Sequence, residues 1–502
     1  MASHSHNIPQ NTVPSGKGLC FFRAIARFST RLNLATMPLS SLSLLVTFAS
    51  AMLFQIVGHT AIALLTAASL MLFIVLEWRE TNAIGKLMVA IVVAVASFCY
   101  FYLALPEQVL LDAMSRAGFF VALFVGIGLL REATEVSQAI QRCGEYLVSQ
   151  PPSRRYFTLA FGSHVFSIVL SIGTLSLLSG IVNKNNTLES ARGNREVWDT
   201  RQRRMSMAIM RGFNATIYWS PFSLALIVTS TSLEGGAASD FYGVGFICAM
   251  ILLFWGWLLD FVSTRRAKQT GAEPVSSSER WPVLLNLLAL VLVVFIISLA
   301  VAELIDSSLL VGMLVSVPIV CVPWMMLCMP GPTLRQRLQQ TTARLKRHAI
   351  EQFPSYRSEA SMVGTAGALG VLLSAAVPKE MMAELLSSLH LSGLPLAIAL
   401  VLTILVAGQL ALVPLVTVSI LASVLPAPEL LGLRYEVLVL AFVGGWAFAT
   451  QSSVFSGTTL VTARLFNRSA ATIAYTWNGL FVLSGSLLLC LMITGLHFFY
   501  KL

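Results

Sequence analysis

The sequence predicts an all-α polytopic membrane protein with about eleven transmembrane helices and two re-entrant hairpins. Of its 502 residues, 56% are hydrophobic and only 11% are charged, against roughly 25% charged residues in soluble domains. Several apolar stretches are each long enough to span a bilayer, which takes about 18 residues or more. The net charge of +10 lies mainly in loops between them, which indicates membrane topology and argues against a nucleic-acid partner.

The elements can be assigned in order along the chain. Residues 1–35 form a polar, basic tail, and residues 36–116 hold three scaffold spans and lead into a fourth that starts near 117. A first unit covers 117–263, linking helices and a basic cytoplasmic loop cover 264–360, and a second unit covers 361–498.

Both units show the same order: a span, an interfacial helix, an apolar hairpin of small residues, a broken span and a final span. The hairpins cover 156–182 and 394–425, and the breaks fall at Trp219–Pro221 and Thr450–Ser453. The broken spans also align without a gap. Gly212-Phe213 matches Gly445-Trp446, Ser220 matches Ser453, and Phe222-Ser223 matches Phe455-Ser456.

Charge distribution orients the predicted chain. If both hairpins enter and leave by one face, the N-terminal tail, the basic loops 184–204 and 335–347, and Arg464 and Arg468 share a side. The positive-inside rule makes that side cytoplasmic and places Leu502 outside. An odd number of crossings then separates the two units, which makes them an inverted repeat. The expected location is the plasma membrane, or the inner membrane if the protein is bacterial.

Inverted repeats with broken helices are typical of transporters. Backbone groups without helical hydrogen bonds cannot face lipid, so paired breaks indicate a polar cavity. The predicted substrate site lies between the hairpin tips and the breaks. Its candidate residues are Ser171, Gly173, Thr174, Trp219, Ser220, Gln409, Thr450, Gln451, Ser452 and Ser453. Close helix packing is the alternative explanation for the small residues among them.

Two further polar residues each allow more than one interpretation. Arg211 lies about two turns inside the broken span and either extends to the cytoplasmic surface or contacts an anionic substrate. His164, in the first hairpin, is either a packing residue or a proton or substrate site. Neither hairpin nor break contains Asp or Glu, the carboxylate that proton and sodium antiporters usually need.

At the level of architecture, residues 36–498 resemble the ion transporter superfamily, in particular the divalent-anion/sodium symporters and their citrate- and dicarboxylate-carrying relatives. Those symporters carry a Ser-Asn-Thr signature at each hairpin tip. Here the first tip reads Leu170-Ser171-Ile172-Gly173-Thr174 and the second, near Ala407-Gly408-Gln409, lacks the signature. The resemblance implies a homodimer, elevator-type motion and Na⁺ as the candidate coupling ion.

The sequence therefore predicts a secondary active transporter of a small organic anion, coupled to a cation gradient and working by alternating access. We expect no enzymatic activity and no cofactor, and leave open whether Na⁺ or H⁺ is coupled and whether a metal binds. The alternative is a membrane flippase or enzyme for an amphipathic or lipid-linked substrate, which aromatic residues at the breaks keep open. A channel is a third possibility, but the two hairpins argue against a continuous pore.

Overall fold

The computed structural model describes residues 37–265 and 282–499, all of whose regular elements are helical. The tail, part of the linking region and Leu502 lie outside the described residues. The α-helices are α1 Leu39–Val57, α2 Thr60–Leu76, α3 Ala83–Phe101, α4 Glu107–Glu135, α5 Gln138–Val148, α6 Pro152–Leu170, α7 Gly173–Asn185, α8 Arg195–Ala215, α9 Leu224–Ser232, α10 Ala238–Arg265, α11 Val283–Leu304, α12 Leu309–Cys328, α13 Leu334–Glu351, α14 Arg357–Ala376, α15 Lys379–Ser388, α16 Leu394–Gln409, α17 Pro414–Val424, α18 Tyr435–Ser452, α19 Gly457–Leu465 and α20 Gly479–Phe499.

Nine candidate spans in the described chain are long and apolar enough to cross a membrane. They are α1, α3, α4, α10, α11, α12, α13 with α14, α18 with α19, and α20. Two further elements would complete the predicted eleven crossings. One is α2, a shorter apolar helix, and the other is the interrupted pair α8 and α9. The multi-span helical class is thus confirmed, while the number eleven stays a prediction.

The helices follow the same order twice. The first copy is α4, α5, the pair α6–α7, the broken helix α8–α9, and α10; the second is α14, α15, the pair α16–α17, the broken helix α18–α19, and α20. The leading helices α4 and α14 pack against each other. A Cβ on Gly367 would lie 3.0 Å from the carbonyl oxygen of Arg116, so a glycine permits this close approach.

The two copies also exchange contacts. Helix α7 of the first copy contacts α19 of the second, and α17 of the second contacts α9 of the first. The amide of Asn183 donates to the carbonyl oxygen of Leu465 at 2.7 Å. Each second hairpin helix therefore lies against the later half of the other copy's broken helix, the reciprocity expected of repeats related by a two-fold axis.

Contacts between the copies define two ends of the molecule. At one end Arg468 forms an ion pair with Asp199, so the 184–204 segment and Arg468 share a side, as predicted. At the other end Lys379 pairs with Glu234.

Helices α10 and α20 run antiparallel, since Gly256 contacts Phe481 and the indole N–H of Trp255 donates to the Ser484 hydroxyl. Phe499 therefore lies at the end opposite Arg468, and which end faces the cytoplasm stays a prediction.

The predicted loop at 335–347 is wrong as a loop, because the structure shows helix α13 there. Likewise, the 184–204 loop becomes helical from Arg195. Both segments are amphipathic or strongly charged, so they lack the apolar run on which the span assignment relied. Helix α13 is fixed by Glu132 at the end of α4, whose carboxylate bonds Arg344 and His348.

Candidate functional site

The first helix break follows Ala215. A single 3₁₀ turn, Thr216–Tyr218, ends helix α8, and α9 begins at Leu224. The Ser220 hydroxyl oxygen, which is buried, accepts a hydrogen bond from the backbone N–H of Phe222 at 3.3 Å. Side chains thus satisfy part of the backbone that leaves the helix, which is necessary for a break inside a membrane protein.

The second break, after Ser452, repeats this bonding position by position. The Ser453 hydroxyl oxygen accepts from the N–H of Phe455 at 3.1 Å, as Ser220 does from Phe222. The next serine of each break donates its hydroxyl to a carbonyl six residues earlier: Ser223 to Ile217 at 3.4 Å and Ser456 to Thr450 at 2.5 Å. The backbone N–H groups of Ser220 and Ser453 bond the carbonyls four residues earlier at 2.9 and 3.0 Å. The gap-free sequence match therefore corresponds to one shared local structure.

Glycines bring each broken helix close to the preceding hairpin. A Cβ on Gly212 would lie 2.2 Å from the carbonyl oxygen of Ala160 in α6. The matching Gly445 would meet Ile404 of α16 at 3.0 Å. A larger residue at Gly212 would clash with backbone, so the sequence match here reflects a packing requirement.

The two breaks meet at a buried amide that the sequence analysis did not single out. Asn214, fully buried, accepts a hydrogen bond from the Thr450 hydroxyl at 2.8 Å. Its amide nitrogen donates to the carbonyl of Met210, also at 2.8 Å. Because Asn214 precedes the first break and Thr450 precedes the second, this bond joins the breaks directly. A signal existed in the sequence, since Asn214 lies two residues after the matched Gly212.

The second hairpin tip reaches its break, as the sequence analysis expected. The Gln409 amide nitrogen donates to the Ser452 hydroxyl at 2.8 Å, and its oxygen accepts from the Tyr475 hydroxyl at 3.0 Å. The turn at the tip includes Ala411 with a φ of 64°. Gln409 and Ser452 are thus brought together, and Tyr475 is an unpredicted third member.

The first hairpin tip has a different neighbour. Ser171 turns the chain with a φ of 49°, and a Cβ on Gly173 would lie 3.1 Å from Nε of Arg131 in α4. A cavity of about 270 Å³ opens here, lined in part by Arg131, Thr134 and Ser176. Within the part of the chain that the structure describes, the buried hydroxyl of Thr174 has no hydrogen-bond partner. The first tip therefore lies against α4, and Ile140 and Gln141 of α5 also line the cavity beside it.

The first hairpin contacts its break through His164, which lies within helix α6 and not at the hairpin tip. This buried imidazole accepts from the indole N–H of Trp219 at 3.1 Å. Trp219 also packs edge-on against Phe246, with ring centroids 5.0 Å apart. These contacts favour the packing interpretation of His164.

Arg211 and Gln451 lie near the ends of α8 and α18, the helices that lead into the two breaks. Arg211 is 9% exposed and donates to Asn478 and Tyr156 at 2.9 and 2.8 Å, so its side chain does not extend to the surface. The Gln451 side chain is buried and donates to the carbonyl of Ala447 within its own helix. No hydrogen bond between Gln451 and Gln409 is present among the described residues.

Within the described residues, no group of three or more His, Cys, Asp or Glu is placed to hold a metal ion. A coupling cation at this site would need oxygen ligands of another kind, such as hydroxyls and the carbonyls released by the breaks.

No family model and no curated protein sequence matches the chain. Solved structures do. One is the YdaH transporter of Alcanivorax borkumensis, at 16% identity and a TM-score of 0.47, covering 76% of this chain and 87% of that one. Another is Neisseria gonorrhoeae MtrF, described as illuminating a class of antimetabolite efflux pumps, at 10% identity and a TM-score of 0.50, covering 83% and 97%.

The likeness to MtrF shows the fold. At 10% identity this likeness shows the fold alone, so membership of the ion transporter superfamily stays a prediction. The chain is thus a multi-span α-helical membrane protein whose fold is similar to that of MtrF. The divalent-anion/sodium symporter branch stays a prediction.

Proposed function

We propose that this protein is a secondary active transporter that moves a small organic anion by alternating access, coupled to a cation gradient. The observation that carries the proposal is the pair of breaks with equivalent hydrogen bonds, joined by Asn214 and Thr450. Irregular backbone is costly in a membrane unless it lines a polar cavity or is buried in protein, and paired breaks are a common way to build a transport site.

The proposed substrate site includes Gln409, Ser452 and Thr450, together with the start of α9. Among the described residues, no side chain caps the N-terminus of α9, whereas Ser456 caps that of α19 by accepting from the N–H of Thr459 at 3.1 Å. Free N–H groups and the helix dipole make an uncapped N-terminus attractive to an anion. Released carbonyl oxygens near the breaks would suit the cation.

The proposal includes a plasma-membrane location with the N-terminal tail in the cytoplasm. It also includes the homodimer, the elevator-type motion and the Na⁺ coupling that the family resemblance implies. The aromatic contacts of Trp219 lie at the hairpin side of the first break, and we interpret them as scaffold packing.

The test is uptake of a panel of labelled organic acids into proteoliposomes that contain the purified protein. Uptake is measured with an inward Na⁺ gradient, with a proton gradient and with neither, and protein-free liposomes give the background. We expect at least one organic anion to accumulate and one of the gradients to drive it. Failure of every acid under every gradient, together with flipping of a lipid-linked probe, would favour the flippase alternative instead.

A further inference from the structure

We propose that a cavity lined by Arg116 is a second binding site of this protein, separate from the site at the second break, and that it binds a small monocarboxylate. The cavity has a volume of about 550 Å³, within the usual range of small-molecule pockets. It lies between α1, α4, α12 and the end of α9, which contribute Gln55, Arg116, Val311 and Thr231 to its lining. The inference rests on the proposed function for the kind of ligand, an organic anion.

The first argument is the charge of Arg116. Its side chain is partly buried and lines the cavity, and within the described residues it forms no hydrogen bond and no ion pair. Asp112, one helical turn earlier, attracts it electrostatically, but the Asp112 carboxylate is exposed and accepts a hydrogen bond from the Gln108 amide at 2.9 Å. The guanidinium donors of Arg116 can therefore bind a ligand carboxylate in the two-point geometry that this pair of groups prefers.

The second argument is the polar surroundings of Arg116. Ser115 also lines the cavity, and its hydroxyl has no hydrogen-bond partner in the described chain. Leu310 and Val311 bring the first turn of α12 to the same cavity. A helix N-terminus carries partial positive charge and favours an anion. These groups add to the attraction that Arg116 exerts on a carboxylate.

The rest of the lining selects the kind of carboxylate. Asp112 lies at the same cavity and would repel a second negative charge on the ligand. Phe54, Phe119 and Val371 supply apolar surface, which suits a ligand with a short apolar chain. The cavity therefore favours a monocarboxylate over a dicarboxylate.

The position of the cavity separates it from the proposed substrate site. Thr231 lies seven residues after Leu224, the first residue of α9, which is about 10 Å along the helix axis. The uncapped start of α9 belongs to the proposed substrate site, whereas the cavity lies beside the last turn of α9. The two sites can therefore be occupied and probed independently.

The experiment introduces Thr231→Cys into a cysteine-free background and measures the rate of labelling by a small neutral thiol reagent in detergent-solubilised protein. Butyrate is the probe, and butyramide, which has nearly the same shape without the charge, is its control. We expect butyrate to slow the labelling in a saturable way and butyramide to have little effect. The proposal is overturned if butyrate does not slow the labelling, or if both compounds slow it alike, because charge recognition then has no part.

Substitutions at Arg116 and Asp112 test the charge argument. Arg116→Gln should lower the affinity for butyrate at least ~10-fold, the equivalent of about 1.4 kcal/mol. Arg116→Lys keeps the charge but loses the two-point geometry, so its loss should be smaller. Asp112→Asn should raise the affinity, because it removes a charge that repels the ligand. Thermal unfolding shows which variants fold, and unchanged protection by butyrate in folded Arg116→Gln would overturn the proposal.

Arg131→Gln is the matched control. Arg131 lies on the same helix, about 22 Å further along its axis, and lines the separate cavity at the first hairpin tip. Butyrate should protect Thr231→Cys equally with and without Arg131→Gln; equal losses in Arg131→Gln and Arg116→Gln would reject the site, since net charge alone would explain them. Ser452→Cys, tested in parallel with the transported anion, separates the two proposals. Protection at Ser452→Cys without protection at Thr231→Cys rejects this cavity site and leaves the proposed function standing.

Discussion

The two helix breaks share their backbone hydrogen bonds but differ in their surroundings. The first break is packed among aromatic rings, with Trp219 between His164 and Phe246. The second is flanked by the polar chain of Ser452, Gln409 and Tyr475. The repeat thus preserves the geometry that opens the helix, while the polar side chains that could recognise a solute lie mainly at the second break. This difference predicts unequal effects of mutation on transport and equal effects on local stability.

The largest effect is expected at the contact between the breaks. Asn214→Leu removes the amide that accepts from Thr450 and puts an apolar branch at a fully buried position. We expect uptake to fall ~100-fold, equivalent to about 3 kcal/mol, and the protein to lose about 1–3 kcal/mol of stability. Proteoliposome uptake and thermal unfolding measure the two quantities.

Thr450→Val is the companion variant for that prediction, since it keeps the shape and removes only the hydroxyl. It should cause a smaller loss of uptake than Asn214→Leu. Wild-type uptake in both variants would show that the meeting point of the breaks has no part in transport.

The next prediction compares the two hairpins. Gln409→Leu removes both polar contacts of the second tip and should reduce uptake ~10-fold, or about 1.4 kcal/mol, with little change in unfolding temperature because Gln409 is only partly buried. His164→Phe keeps ring volume and leaves the Trp219 N–H unpaired, at a cost of about 1–3 kcal/mol in stability. Its uptake should change little. The reverse ranking would place the recognition chemistry at the first break.

A smaller effect is expected at the matched serines. Ser220→Ala and Ser453→Ala each remove one acceptor for a backbone N–H, and both should cost about 1 kcal/mol. The two unfolding temperatures should shift equally within error. A clearly larger loss for one serine would break the structural equivalence of the repeats.

The smallest effect is expected at the Arg468–Asp199 ion pair, where the two copies meet at one end. Both side chains are partly exposed, so Arg468→Gln should cost no more than about 1 kcal/mol. Thermal unfolding at low and high salt measures it, with the difference from wild type shrinking as salt rises. A loss that is independent of salt would mean that stacking of Arg468 on Trp198 and Trp477 matters more than its charge.

Sequence periodicity and spacing predicted the features that depend on backbone: the repeated order of helices, both hairpins and the matched breaks. These features leave local signals, such as Ser220 beside Pro221 in the first break and the polar run Thr450–Ser453 in the second. Helix α13 was missed because a strongly basic helix gives no apolar run.

The partners of side chains could not be predicted in the same way. Arg131 lies more than forty residues before the tip that it contacts, and nothing local to Gly173 indicates it. Similarly, only tertiary packing brings Asn478 and Tyr156 to Arg211. Long-range contacts between single polar residues leave no pattern in one sequence. The polar contacts of the site could therefore be identified only from the structure.

The most direct test of the account is substrate protection of a single cysteine at Ser452, introduced as Ser452→Cys into a cysteine-free background. A small thiol reagent should label this position in proteoliposomes, and the transported anion found in the uptake panel should slow the labelling. Ser298→Cys, a fully buried position in scaffold helix α11, should stay unlabelled with or without the anion. If Ser452→Cys is labelled at the same rate with and without a saturating transported anion, the substrate does not bind at the second break, and the central claim is wrong.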